Sequence, residues 1–211
     1  MDFDLTTLII VILVLLVSMA VHEVMHAVAS LKLGDDTAHS QGRISWNPFV
    51  HIDPIFTLAL PLLLYLANAP IFAAAKPVEV NFNRLKWGEF GGAIVGAVGP
   101  LSNLALAVVG AGIFHIFAGD ASGLLAEALA YFIFINIGLA VFNSIPWPPL
   151  DGSRVLYAFA PRPLQQLMES IERLGLTGLV IFIFLFFQIL SPLMGNIIEK
   201  LVNILVPGLI L

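Results

Sequence analysis

From Leu5 to Leu31 the chain carries one formally charged residue, Glu23. About 20 apolar residues are enough to cross a bilayer as a helix, so this run can span with some to spare. Backbone polar groups at membrane depth must be satisfied within the protein, and a helix does this within one segment. The constraint recurs. Residues 90–118, 128–145 and 175–198 are also uncharged, and 54–75 is apolar but broken by Pro61 and Pro70. Only 11% of the residues are charged and 59% are hydrophobic, where soluble domains carry about 25% charged residues. The expected fold is an all-α polytopic membrane protein forming a single domain over 1–211. It has about four transmembrane helices, a re-entrant segment at 54–75 and interfacial helices. Minor β structure is expected in the 40–53 linker, where "RISW" alternates.

The N-terminus begins MDFD, acidic where a secretory signal is basic, and is read as a retained helix. Gly34, just past Lys32, is placed to end the first helix in a left-handed turn. Gly88, Gly92 and Gly96 form a small-residue ridge for close helix approach. In "PLQQLMESIERL", Leu164, Leu167, Met168, Ile171 and Leu174 share one face, as expected of an interfacial helix. The net charge of −5 and the absence of basic clusters argue against nucleic acid as a partner.

Within the first span stands "HEVMH", residues 22–26. Residues four apart share a helix face, so His22 and His26 project together and can hold one tetrahedral zinc. Glu23 lies beside the first ligand, within reach of a water rather than of the metal. A charge at the centre of a membrane helix costs about 2.5–3.5 kcal/mol on insertion scales, which favours a functional role for Glu23. The chain has no cysteine, so any metal must be held by His, Asp or Glu. A hydrolytic site needs a third protein ligand and an open position. Asp2 and Asp4 lie beyond the far end of the helix, and Asp35 and Asp36 read as a solvated loop. Asp151 follows a span and the proline-stiffened "PWPPL"; its spacing is equally compatible with capping the helix that begins near Gly152. Of the remaining histidines, His39 and His51 read as solvated loop residues and His115 as interfacial.

These motifs together resemble the site-2 proteases, a family of intramembrane zinc metalloproteases, in the short form without PDZ or CBS domains. HEVMH is similar to the family's zinc-binding helix. "NSIPWPPLDG", 143–152, is similar to its Asn-x-x-Pro…Leu-Asp-Gly motif, and "GAVGPLSNLALA", 96–107, to its Gly-Pro-x-x-Asn helix. "GRISWNPFVHIDPI", 42–55, resembles the linker of short members, from which Phe56 and "AAAKPV" depart. The resemblance implies that His22, His26 and Asp151 hold one Zn2+, that Glu23 is the general base, and that Asn143 orients substrate or stabilises the oxyanion. It implies a transmembrane protein or peptide as substrate, cut within or near its membrane segment, with the lipid bilayer as the second partner. The alternative is a membrane metal-binding or metal-transport protein without hydrolysis. Against it, the polar groups gather at one site and form no chain across the bilayer.

Topology carries a further expectation. If 54–75 dips in and returns, His26 and Asp151 fall on one side of the membrane. Lys32, Arg43, Lys76, Arg84, Lys86, Arg154, Arg162 and Arg173 then share that side, leaving Lys200 opposite. The Lys and Arg excess marks it as the cytoplasm. The compact chain suggests a prokaryotic plasma membrane, with the site toward the cytoplasmic face.

Overall fold

The computed structural model describes residues 5–59, 75–117, 123–175, 178, 182 and 190–209. The first apolar run forms α1 (Leu5–Lys32), 28 residues and thus roughly 42 Å at 1.5 Å per residue. Its end follows from Gly34, whose φ of 105° suits a residue without Cβ. The Asp35 N–H reaches back to the Ser30 carbonyl at 2.9 Å, and the Gly34 N–H to Leu31 at 3.1 Å. This pairing satisfies the last carbonyls of the helix.

Among the described residues, two more helices are long and apolar enough to cross a membrane: α3 (Glu89–Phe117) and α4 (Leu124–Asn143), after the short α2 (Thr37–Ser40). The chain is a membrane protein. Beyond α4 come α5 (Asp151–Phe159), α6 (Arg162–Arg173) and α7 (Ser191–Leu205), the last with Pro192 in its first turn, where a missing N–H does no harm. The expected apolar run 175–198 and the re-entrant 54–75 fall largely outside the described residues; of the latter, Pro54–Ala59 form a wide helical turn.

Helix α3 is central and packs against α1, α4 and α5. Small residues explain why, because they let neighbouring backbones approach. The expected ridge holds in part. Gly96 lies against Asp151 and Arg154 of α5 and Gly92 against Phe82, but Gly88 sits in the turn before the helix with nothing near it. Toward the other end, Ala107, Ala111 and Phe114 of α3, Ile133 and Ile137 of α4 and Val202 of α7 bury one another. His115 Nε2 donates to the Leu205 carbonyl at 2.8 Å there, so His115 ties α3 to the end of α7.

The linker contains no strand. Residues 40–53 form turns and a single 3-10 turn at Pro48–His51, so the expected β structure at "RISW" is corrected. The cause lies in Arg43. Its buried guanidinium donates to the Val50 carbonyl, to Lys76 at 2.6 Å and to Pro77 at 3.0 Å. Side-chain donors thus take carbonyls that a ladder would use, and Pro48 has no N–H to extend one.

The ends of the helices sort clearly. Lys86 N–H donates to Leu33 O at 2.7 Å, and Asn81 N–H to Asp35 Oδ2 at 2.7 Å. The linker therefore returns to the end of α1 that it left before α3 begins. The C-terminus of α1, the N-terminus of α3 and the C-terminus of α4 lie at one end, with α5 and α6 beside them.

Candidate metal centre

The sequence places His22 and His26 one helical turn apart, and the fold brings a carboxylate to meet them. Their rings stand edge to face with centroids 4.6 Å apart, and the two Nε2 atoms are separated by 3.0 Å. Asp151 Oδ2 lies 3.0 Å from His22 Nε2 and 3.3 Å from His26 Nε2. These three residues each offer a ligand atom within 4.8 Å of the others. Both histidines are buried.

Asp151 arrives here because the turn after α4 folds back on itself. Trp147 N–H bonds Ile145 O, and Leu150 N–H bonds Trp147 O, both at 2.8 Å. Gly152 lies against the Ser144 and Ile145 carbonyls with no room for a Cβ, which seats the start of α5 directly on the end of α4. The capping alternative is not what the structure adopts: Leu150 holds the cap position, and no side chain caps α5. The carboxylate turns to the histidines instead.

The other ring nitrogens define what the cluster can do. His26 Nδ1 faces the Val95 carbonyl at 2.7 Å, an acceptor only, so this nitrogen carries the proton. His22 Nδ1 lies 2.6 Å from Asn103 Oδ1. With both Nδ1–H groups committed, each imidazole, when neutral, presents a lone pair at Nε2. Two such lone pairs and a carboxylate oxygen converge, and Asp151 Oδ2 is buried without a hydrogen-bond partner. Such an electron-rich point calls for a cation. Two imidazoles and one carboxylate are a zinc donor set that leaves a fourth position open, so the residues present fit the ion.

Glu23 sits outside the ligand cluster but lines the same cavity. Its Oε2 accepts a hydrogen bond from the Val78 N–H at 2.8 Å. The cavity, about 200 Å³, is bounded by Glu23, His26, Asp151, Val78, Phe82 and Pro149. Arg154 stands at its edge, 4.4 Å over the Phe82 ring and paired with Glu172 of α6.

Asn143 Nδ2 donates to the Leu139 carbonyl at 3.0 Å, at the last turn of α4. Asp2 and Asp4 are outside the described residues. His39 is exposed, as expected. His51 is not a solvated residue: it is 3% exposed, and its Nε2 donates to the Ser45 carbonyl at 2.9 Å. Asp35 also departs from the solvated reading, being fully buried, whereas Asp36 is exposed and pairs with Arg84. Burial works to raise the Asp35 pKa, but hydrogen bonds from Thr37 and the Asn81 N–H outweigh it and hold the carboxyl below the usual carboxylate range.

Asn103, the asparagine of the Gly-Pro-x-x-Asn helix, Val95 and Val78 contact the site residues although their residue types alone assign them no role. Two of the three act through backbone groups, which side-chain identity does not announce. Asn103 had a signal: an amide in the middle of an otherwise apolar span must find partners.

Comparison with known proteins finds relatives named as zinc metalloproteases. The chain is 33% identical over 199 residues to the protein named "Putative zinc metalloprotease YwhC" of Bacillus subtilis, covering 91% of this chain and 85% of that one. It is 27% identical over 169 residues to "Putative zinc metalloprotease Rip2" of Mycolicibacterium smegmatis, covering 80% of this chain and 64% of the relative. It is 33% identical over 136 residues to "Putative zinc metalloprotease MJ0611" of Methanocaldococcus jannaschii, covering 64% and 62%. No family model matches the chain, and no solved structure matches it. By its likeness to YwhC over nearly its whole length, the chain belongs to that family of zinc metalloproteases.

Proposed function

We propose that this protein is an intramembrane zinc metallopeptidase of the site-2 protease type, hydrolysing peptide bonds within or near transmembrane segments of membrane proteins. The observation that carries the reading is the meeting of His22, His26 and Asp151 on and beside a membrane-spanning helix, with Glu23 lining the same cavity. His22 Nε2, His26 Nε2 and Asp151 Oδ2 would hold one zinc ion. When bound, zinc supplies Lewis acidity that activates water and polarises a carbonyl. Glu23 takes the proton of the attacking water and returns it to the departing amine. Asn143, at the end of α4, serves substrate orientation or the oxyanion.

The substrate is a transmembrane protein or peptide delivered through the bilayer. A helical substrate hides its carbonyls in hydrogen bonds, so it unwinds locally before it is cut. Residues 54–75 re-enter and 175–198 supply a fourth span. In support, the linker leaves and returns at the same end of the bundle. The basic residues of that end make it cytoplasmic, with the N-terminus outside, in a prokaryotic plasma membrane. His22 and His26 stand ten and six positions before Lys32, so the zinc lies about 9–15 Å inside that face.

The test is cleavage of a single-span peptide by the purified chain in liposomes. The native chain should cut it within or near its apolar segment, and Glu23→Gln should not. Cleavage at the native rate by Glu23→Gln would overturn the mechanism.

A further inference from the structure

Three buried polar residues that the mechanism does not use run from the metal centre into the bundle. Asn103 of α3, Asn136 of α4 and Ser18 of α1 are each fully buried. Polar side chains at this depth must satisfy one another, and the way they do so fixes the orientation of each amide.

Backbone carbonyls can only accept hydrogen bonds. Asn136 Nδ2 lies 2.9 Å from Phe132 O and 2.8 Å from Ser18 Oγ, so the nitrogen of this amide is identified and its Oδ1 points the other way. That Oδ1 lies 2.9 Å from Asn103 Nδ2, which also donates to Ser18 O at 3.3 Å. Both hydrogens of the Asn103 amide are thereby used. Its Oδ1 is left facing His22 Nδ1 at 2.6 Å and can only accept. His22 must then carry its proton on Nδ1 and turn the Nε2 lone pair toward His26 and Asp151. His26 has the Val95 carbonyl for the same task and owes nothing to the asparagines.

We propose that Asn103 is a positioning residue for His22: it fixes the ring's tautomer and direction, with Asn136 and Ser18 holding its amide in the one orientation that can do so. The proposal rests on the reading of His22 as a zinc ligand. It gives the two asparagines, one on each of two spanning helices, a chemical task rather than a packing one. Partners of this kind on metal-bound histidines are worth about 10–100-fold in metal affinity.

The experiment uses the full chain in nanodiscs, with zinc affinity measured by chelator competition and the zinc-loaded histidines followed by 15N resonance. In the native protein both His22 and His26 should be protonated at Nδ1. Asn103→Leu, of similar volume but without an acceptor, should weaken zinc about 10–100-fold. It should also shift the His22 Nδ1–H signal while leaving that of His26 in place. Unchanged affinity in Asn103→Leu overturns the proposal, as does equal disturbance of both histidines, which is the mark of a packing defect. Should Asn103→Leu fail to fold, the native spectrum decides: an unprotonated His22 Nδ1 refutes the assignment, and a strongly downfield Nδ1–H on His22 supports it. If the native chain binds no zinc, the metallopeptidase reading itself falls. If it binds zinc and Asn103→Leu binds it equally, only the role of Asn103 falls.

Discussion

The Val78 N–H donates to Glu23 Oε2 at 2.8 Å, joining the segment that precedes α3 to the carboxylate beside the metal centre. A backbone donor cannot swing away as a side chain can, so this contact fixes where the carboxylate points. Proline at this position removes the N–H. A hydrogen bond to a charged group is worth about 1.5–3 kcal/mol, so Val78→Pro should lower peptide turnover by roughly tenfold or more. Val78→Ala keeps the N–H and should stay near the native rate. Zinc content should be unchanged in both. Steady-state cleavage of a membrane peptide with metal analysis checks the pair.

Gly99 faces the two histidines directly. A Cβ placed there would stand 2.6 Å from His26 Cε1 and 2.7 Å from His22 Cε1. Gly99→Ala should therefore displace the rings, cut zinc affinity by about tenfold or more and destabilise the fold by about 1–3 kcal/mol. Gly112, with open space around it, is the control position. Chelator competition and thermal unfolding of both alanine variants read the difference.

Much of this architecture is legible in the sequence, because membrane physics leaves few alternatives to a long uncharged helix. The spans at 5–31, 90–118 and 128–145 correspond to α1, α3 and α4 within a few residues. HEVMH is legible because a one-turn spacing fixes which side chains share a face. Asp151 is not legible from spacing alone. Whether it caps α5 or faces the histidines depends on how the turn at Ser144–Leu150 folds back, a tertiary fact. The linker misled for a similar reason. Alternation at "RISW" suggested a strand, but Arg43 is buried and spends its guanidinium on the carbonyls of Val50, Lys76 and Pro77. Asp35 looked solvated because the backbone and side-chain donors that bury it belong to Asn81 and Thr37, and nothing local reveals the first.

Asp35 gives a pH dependence with a definite sign. Its folded-state pKa is held below the unfolded value of about 3.9. The stabilisation it provides is then fully present above that unfolded value and is lost as pH falls through the folded one. Thermal unfolding midpoints should drop on acidification below about pH 4, and the drop should be shallower in Asp35→Asn. A slope identical in the two proteins would remove Asp35 from the acid response.

Topology can be read with thiols, since the chain has no cysteine. His39 and Asn81 are both exposed and flank the linker at the same end of the bundle. His39→Cys and Asn81→Cys, made singly, should react with an impermeant reagent from one and the same side, the cytoplasmic one. Labelling from opposite sides would contradict the re-entrant reading of 54–75.

The central claim, that His22, His26 and Asp151 hold one zinc ion while Glu23 does not, is tested most directly by metal analysis of the purified chain. The native protein and Glu23→Gln should each carry about one zinc per chain. His22→Ala should lose it. Asp151→Asn should lose most of it, because the neutral amide is a poor ligand although it caps a helix about as well as Asp. Full zinc occupancy in His22→Ala or Asp151→Asn, or loss of zinc in a folded Glu23→Gln, would contradict the account.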